Sequence, residues 1–166
     1  MNFKELRLSA LSKADEEPGD EIIDNVVYDA VNHGYRLVAT LVDKQLKPVN
    51  LKYSEKILLP DDFHNLIYLK CNSTKLSSND FYVSGMYLFI TNKDFKDDGL
   101  AFNMLYSYYP EPLKEDTDIP ITREMFDYLI IMYGAYNVLL YKKRYNMAEM
   151  LFKEFSSMLG GGTNEP

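Results

Sequence analysis

The stretch SYYPEPLKEDTDIP, Ser107 to Pro120, decides how the chain divides. Aromatic residues run into three prolines, with Glu111, Glu115, Asp116 and Asp118 crowded between them. Two readings compete: an acidic site for a metal or substrate, or a joint between two structural halves. Carboxylates are the hard oxygen donors that Ca²⁺ takes, but the alternating acids, central Gly and terminal Glu of a helix–loop–helix calcium loop are missing. Pro110 and Pro112 cannot donate to a sheet ladder, so they end the strand before them. Pro120 pushes Ile119 out of the α region just ahead of a helix. The joint is the better reading.

Upstream of the joint, over 44–109, the apolar period is two. Val49, Leu51 and Tyr53 alternate with polar residues, as do Leu66 and Tyr68 more weakly, and Leu100, Phe102, Met104, Tyr106 and Tyr108 cleanly. Phe81, Val83, Gly85, Tyr87 and Phe89 read as one face of a single run, with Tyr82, Met86, Leu88 and Ile90 on the other. Turn signals separate these runs at Leu59–Asp62, Ser77–Asp80 and Lys96–Gly99. The pattern predicts a small antiparallel sheet or barrel of about four to five strands.

On either side the period is helical. Phe3, Leu6 and Ala10 share one face of a short helix over 2–13, which Asp15-Glu16-Glu17-Pro18-Gly19 breaks. Asp20 is placed to cap a second helix, whose stripe runs through Ile23, Val27, Ala30, Gly34, Val38 and Leu41. A second stripe, Ile22, Val26 and Tyr35, predicts cover on more than one side. After the joint, Thr122 is placed to cap a helix with Met125, Leu129, Met132, Tyr136, Leu139 and Leu140 on its apolar face. Glu124 and Asp127 at its start and Lys142-Lys143-Arg144 at its end suit the helix dipole. Asn146-Met147-Ala148-Glu149 is a near capping box for a last helix, ended by Gly160-Gly161-Gly162. The fold class is therefore α+β: an N-terminal helix and a C-terminal helix pair forming a bundle, with the β region inserted. One domain spans 1–159, helical over 1–42 and 121–159, with the β insert at 44–109 and the joint at 110–120. Residues 160–166 read as a flexible tail.

A chain of 166 residues with 46% hydrophobic residues can bury a core without staples. The single cysteine, Cys71, leaves no partner for an internal disulfide or a cysteine-based zinc site. With no secretory leader ahead of it, the sequon Asn72-Ser73-Thr74 reads as chance. The longest uncharged stretch, Tyr128–Tyr141, is too short to span a bilayer, so no membrane is expected. A net charge of −7 argues against gripping nucleic-acid phosphates, though not against an acidic wall that DNA slides past. Fourteen tyrosines without a tryptophan suit interfaces or a β-rich core.

Catalytic signatures are lacking. His33 lies mid-helix and His64 follows Pro60-Asp61-Asp62-Phe63, neither within a nucleophile motif. Asp61, Asp62 and His64 are suitable metal donors by type, but their spacing fits no metal loop and suits a turn. No glycine-rich phosphate loop and no basic–aromatic stripe is present. The chain reads as no enzyme, with no cofactor and no metal. Met147, Met150, Phe152, Phe155 and Met158 are many large apolar residues for one short helix, and they are the candidate partner interface; packing on the preceding helix would account for half of them.

The order of pieces carries a resemblance over roughly residues 20 to 159. DNVVYDAVNHGYRLVATLV (24–42) is followed by ILLPDDF (57–63), FYVSGMYLFI (81–90), YSYYPEPLKEDTDIP (106–120) and ITREMFDYLIIMYGAYNVLLYKK (121–143). Its most specific part is the passage from the aromatic strand through Pro-x-Pro-Leu and Asp-Thr-Asp-x-Pro into a Tyr- and Ala-rich helix. This resembles the head–tail adaptor (connector, or head-completion) proteins of tailed bacteriophages. The resemblance implies a structural virion neck protein, assembled in the host cytoplasm, that docks under the portal protein as a ring, commonly of twelve copies. Such a ring extends the DNA channel, lets DNA pass without sequence-specific binding, and presents a platform to the tail or next neck protein. No catalytic residue belongs to that role. The alternative is a non-catalytic cytosolic module that binds a peptide or ligand through the β region; a hydrolase using His64 with nearby acids ranks last.

Overall fold

The structure, a computed structural model, describes residues 1–161. Among them lie four α-helices and seven strands in an α+β arrangement of two compact units. One unit combines residues 1–44 with the chain from Pro110 onward; the other is Gln45–Tyr109. Positions 162 to 166 of the expected tail fall outside the described residues.

The helical unit is built on α3 (Asp127–Tyr141), which packs against α1 (Phe3–Lys13), α2 (Glu21–Leu41) and α4 (Tyr145–Gly161). A helix contacted from three sides must be apolar nearly all round. Leu129, Ile130, Met132, Ala135, Val138 and Leu139 are accordingly buried. Gly134 sits at the tightest point, where a Cβ would come within 2.9 Å of both Ala10 Cβ and Val31 Cγ2.

Local signals account for most helix ends. Asn2 and Glu5 form a reciprocal capping box on α1, and the Asp20 carboxylate accepts from the N–H groups of Ile22 and Ile23. Two ends use a left-handed residue without glycine. Asp15 has φ +56°, and the N–H groups of Asp15 and Glu16 donate to Ser12 and Leu11 carbonyls. Lys143 has φ +58°, and the N–H groups of Lys143 and Arg144 donate to Leu140 and Leu139. Both are Schellman endings. The residues that follow them meet: Arg144 and Lys142 each lie 3.1 Å from Glu16, and Arg144 donates to the Ala14 carbonyl. That fixes the end of α1 to the end of α3.

Several expectations for these helices need correction. Thr122 makes no cap bond; its hydroxyl is buried without a partner, and a single 3-10 turn, Glu124–Phe126, leads into α3. The expected Asn146 cap is already inside α4, whose first residue is Tyr145. Met125 falls in the 3-10 turn ahead of α3 and is exposed rather than on its apolar face, and on α2 Leu41 of the first stripe and Ile22 of the second are exposed too.

The β unit contains two open antiparallel sheets and no barrel. One orders β1 (Leu46–Lys52), β7 (Ala101–Tyr108), β3 (Phe63–Cys71) and β4 (Thr74–Lys75) as β1-β7-β3-β4. The other orders β2 (Ile57–Leu58), β6 (Tyr87–Ile90) and β5 (Phe81–Ser84) as β2-β6-β5. Phe102, Met104 and Tyr106 share one core with Leu69, Ile57, Leu88 and Ile90. The run from Phe81 to Ile90 is a hairpin, not one strand. Gly85, at φ +57°, is the first of two turn residues, the position where a tight hairpin favours glycine. Crossing the turn reverses the parity, so Val83 faces Leu88 and Phe81 faces Ile90 across the pair.

Replacing Gly134→Ala is expected to destabilise the protein by about 1–3 kcal/mol in urea unfolding, because the added methyl meets atoms that cannot swing away. A gain would mean the three helices do not meet there.

Candidate functional site

The Pro-rich acidic stretch lies against the helical unit. Asn32, in the interior of α2 and 8% exposed, holds Leu113 through both backbone groups. Its Nδ2 donates to the Leu113 carbonyl at 2.9 Å, and the Leu113 N–H donates to its Oδ1 at 2.7 Å. Tyr28 adds a third bond to the same carbonyl, at 3.2 Å. The chain then turns around Asp118, whose carboxylate accepts from the N–H groups of Lys114 and Glu115 at 2.7 and 2.9 Å. Those bonds from Glu115 and Lys114 hold the Asp118 carboxyl below the usual carboxylate range.

The carbonyls of the same stretch complete the start of α1. A helix begins with N–H groups that have no partner inside it. Phe3 donates to the Asp118 carbonyl and Lys4 to that of Asp116, while Asn2 takes Glu5. Arg7 pairs with the Asp116 carboxylate and lies over the rings of Phe3 and Tyr28. Of the four acids proposed as ligands, Asp116 and Asp118 hold this structure together, and Glu111 and Glu115 are exposed. Among the described residues, no three His, Cys, Asp or Glu side chains converge as metal ligands.

In the β unit, Asp62 is engaged away from His64. Its carboxylate takes Lys47 Nζ at 2.6 Å and the Tyr106 hydroxyl at 2.9 Å. His64 instead packs on Tyr109, ring centroids 4.3 Å apart. Burial and the hydrogen bond to Asp62 push the Tyr106 phenol up to about 12. Burial works to raise the Asp62 carboxyl, but the bonds from Lys47 and Tyr106 outweigh it and the net shift is downward. His33 stacks on Tyr133 at 5.3 Å beside a shallow groove of about 390 Å³ whose lining has no serine, threonine or cysteine. Each histidine is thus placed against a tyrosine ring.

The α4 set divides. Phe155 is 3% exposed and belongs to the core against Tyr133, which removes it from the interface. Met147, Met150, Phe152 and Met158 are exposed, Met150 at 74%. Met147 and Met150 border an open groove of about 260 Å³ with Lys13, Leu139, Leu151 and Glu154. Its rim is a polar relay: Lys13 donates to the Tyr128 hydroxyl, which donates to Glu154. Sequence reading missed Asn32, and it did not single out Ile119 and Ile121 as exposed.

No helix among the described residues is long and apolar enough to cross a membrane. Compared with known proteins, the chain matches no family model, and no curated protein matches it.

The two shifts around Asp62 give the β unit opposite pH limits. Tyr106 is raised, so its contribution is full below its ordinary value of 10.0 and is lost as pH rises toward about 12. Asp62 is lowered, so its contribution is full above the ordinary carboxylate range and is lost as pH falls through its depressed value. Tyr106→Phe should cost about 1 kcal/mol at neutral pH and flatten the alkaline loss in urea unfolding followed against pH. An unchanged alkaline profile would contradict the assignment.

Proposed function

We propose that this chain is a structural assembly protein of the tailed-phage neck, docking under the portal as a ring and joining head to tail, without catalysis. The observation that carries the reading is the exposed face of α4, where Met147, Met150, Phe152 and Met158 stand out from a chain of net charge −7. Unbranched methionines adapt to repeated, slightly different contacts, as a ring on a portal requires. Support also comes from what the polar groups do: Asp62, Asp116, Asp118 and Glu16 each serve a hydrogen bond or ion pair within their own unit. In this reading the helical unit is the adaptor bundle, and the β unit is its inserted element. Copies contact each other and the portal through apolar surface, the tail or next neck protein binds the far side, and acidic surface lets DNA pass.

Mixing the purified chain with the portal protein of the same virus and imaging the particles tests this. The expected result is a ring on the portal that Met150→Asp abolishes, with thermal stability unchanged because the side chain is exposed. Absence of any portal association by the unaltered chain would overturn the proposal.

A further inference from the structure

The sheet edges of the β unit are unequally protected. β1 carries Pro48 within it and Lys47 and Lys52 near its ends. The edge of β3 beyond the two-residue β4 is broken by register shifts near His64 and Ile67. Proline, lysine and bulges are the usual means of keeping an edge from pairing. β5, Phe81-Tyr82-Val83-Ser84, has none of them. Its hairpin is closed by two residues, so Ser84 and Tyr87 exchange hydrogen bonds and the pattern alternates from there. Phe81 and Val83 therefore turn their N–H and C=O groups away from β6, toward the open edge.

Charge identifies what fits there. None of the ten residues of β2, β5 and β6 is charged, in a chain that is 26% charged with a net −7. Two copies of an acidic protein repel wherever their carboxylates face each other. At this sheet they meet without opposing charge. The outward face adds apolar area: Tyr82 stacks on Phe89 at 4.8 Å and 8°, with Tyr87 beside them, and Tyr82 and Tyr87 are exposed.

We propose that the open edge of β5 pairs with β5 of a second copy of this chain, antiparallel about a two-fold axis, making one continuous six-stranded sheet. The contact is self-complementary, and each copy uses the one edge among the described residues that is longer than two residues and carries no proline, lysine or bulge. The outermost strand of the joined sheet is then β2, two residues long, so pairing stops at the dimer and does not propagate into fibres. The Tyr82–Phe89 stacks of the two copies lie side by side across the new strand pair. With only two outward-facing residues per strand the dimer is weak and concentration-dependent. The proposal stands apart from the neck reading, since it rests on β5 and not on α4.

Sedimentation across a concentration series, with amide exchange read at low and high concentration, tests it. The expected result is a monomer–dimer equilibrium in which the Phe81 and Val83 amides gain protection in the dimer. Val83→Pro removes an outward N–H while leaving the bonds to β6, and Tyr82→Lys places charge on the shared face. Each should raise the dissociation constant roughly tenfold or more with an unchanged circular dichroism spectrum, and Met150→Asp should not. A monomer up to millimolar concentration overturns the proposal. So does a dimer in which Phe81 and Val83 exchange freely, or one that neither Val83→Pro nor Tyr82→Lys weakens.

Discussion

The structure of the helical unit depends on one buried amide. Asn32 lies in the interior of α2, where an unpaired polar group would be costly, and it is satisfied by the backbone of a residue far along the chain. An asparagine side chain presents one donor and one acceptor side by side, as a neighbouring strand would. It can thus stand in for a sheet partner where the prolines at 110 and 112 leave Leu113 none. Leu113 can then be buried without stranding its N–H and carbonyl. From that fixed point the chain turns at Asp118 and offers carbonyls to the start of α1, so two of the first N–H groups of that helix depend on it. Removing either Asn32 group would leave a buried backbone partner unsatisfied, which costs roughly 1–3 kcal/mol per group.

This explains why an acid-rich segment with several oxygen donors works as structure. A carboxylate that accepts two backbone N–H groups has its lone pairs directed at its own turn, as Asp118 does. Asp116 faces a guanidinium that is itself held over two aromatic rings. The same economy recurs where Glu16 joins two helix endings and where Asp62 joins Lys47 to Tyr106. These carboxylates are used within their own units, while the α4 face and the uncharged hairpin expose apolar side chains.

Local chemistry was legible in the sequence. The Asp20 cap, the stripe of α2 from Ile23 to Val38 and the alternation of β7 depend on neighbours within a few residues, and each is found where the pattern put it. Features that depend on distant partners were not. The run 81–90 keeps an apolar alternation through its turn, so only Gly85 marked the reversal and the run read as one strand. Thr122 has a cap residue's chemistry but its hydroxyl is buried elsewhere. Large apolar residues on α4 span so wide an arc that periodicity could not tell Phe155, which packs inward, from Met150, which does not. The basic triplet at the end of α3 was read through the helix dipole alone, whereas Lys142 and Arg144 pair with Glu16 across more than a hundred residues.

The most direct measurement is hydrogen exchange at the Leu113 amide in the intact chain. If the Asn32 side chain holds this backbone as described, that amide opens only with global unfolding and its protection matches the core of α3. Exchange at the rate of an exposed loop amide, with α3 still protected, would contradict the view that the Pro-rich acidic stretch is a fixed part of the helical unit.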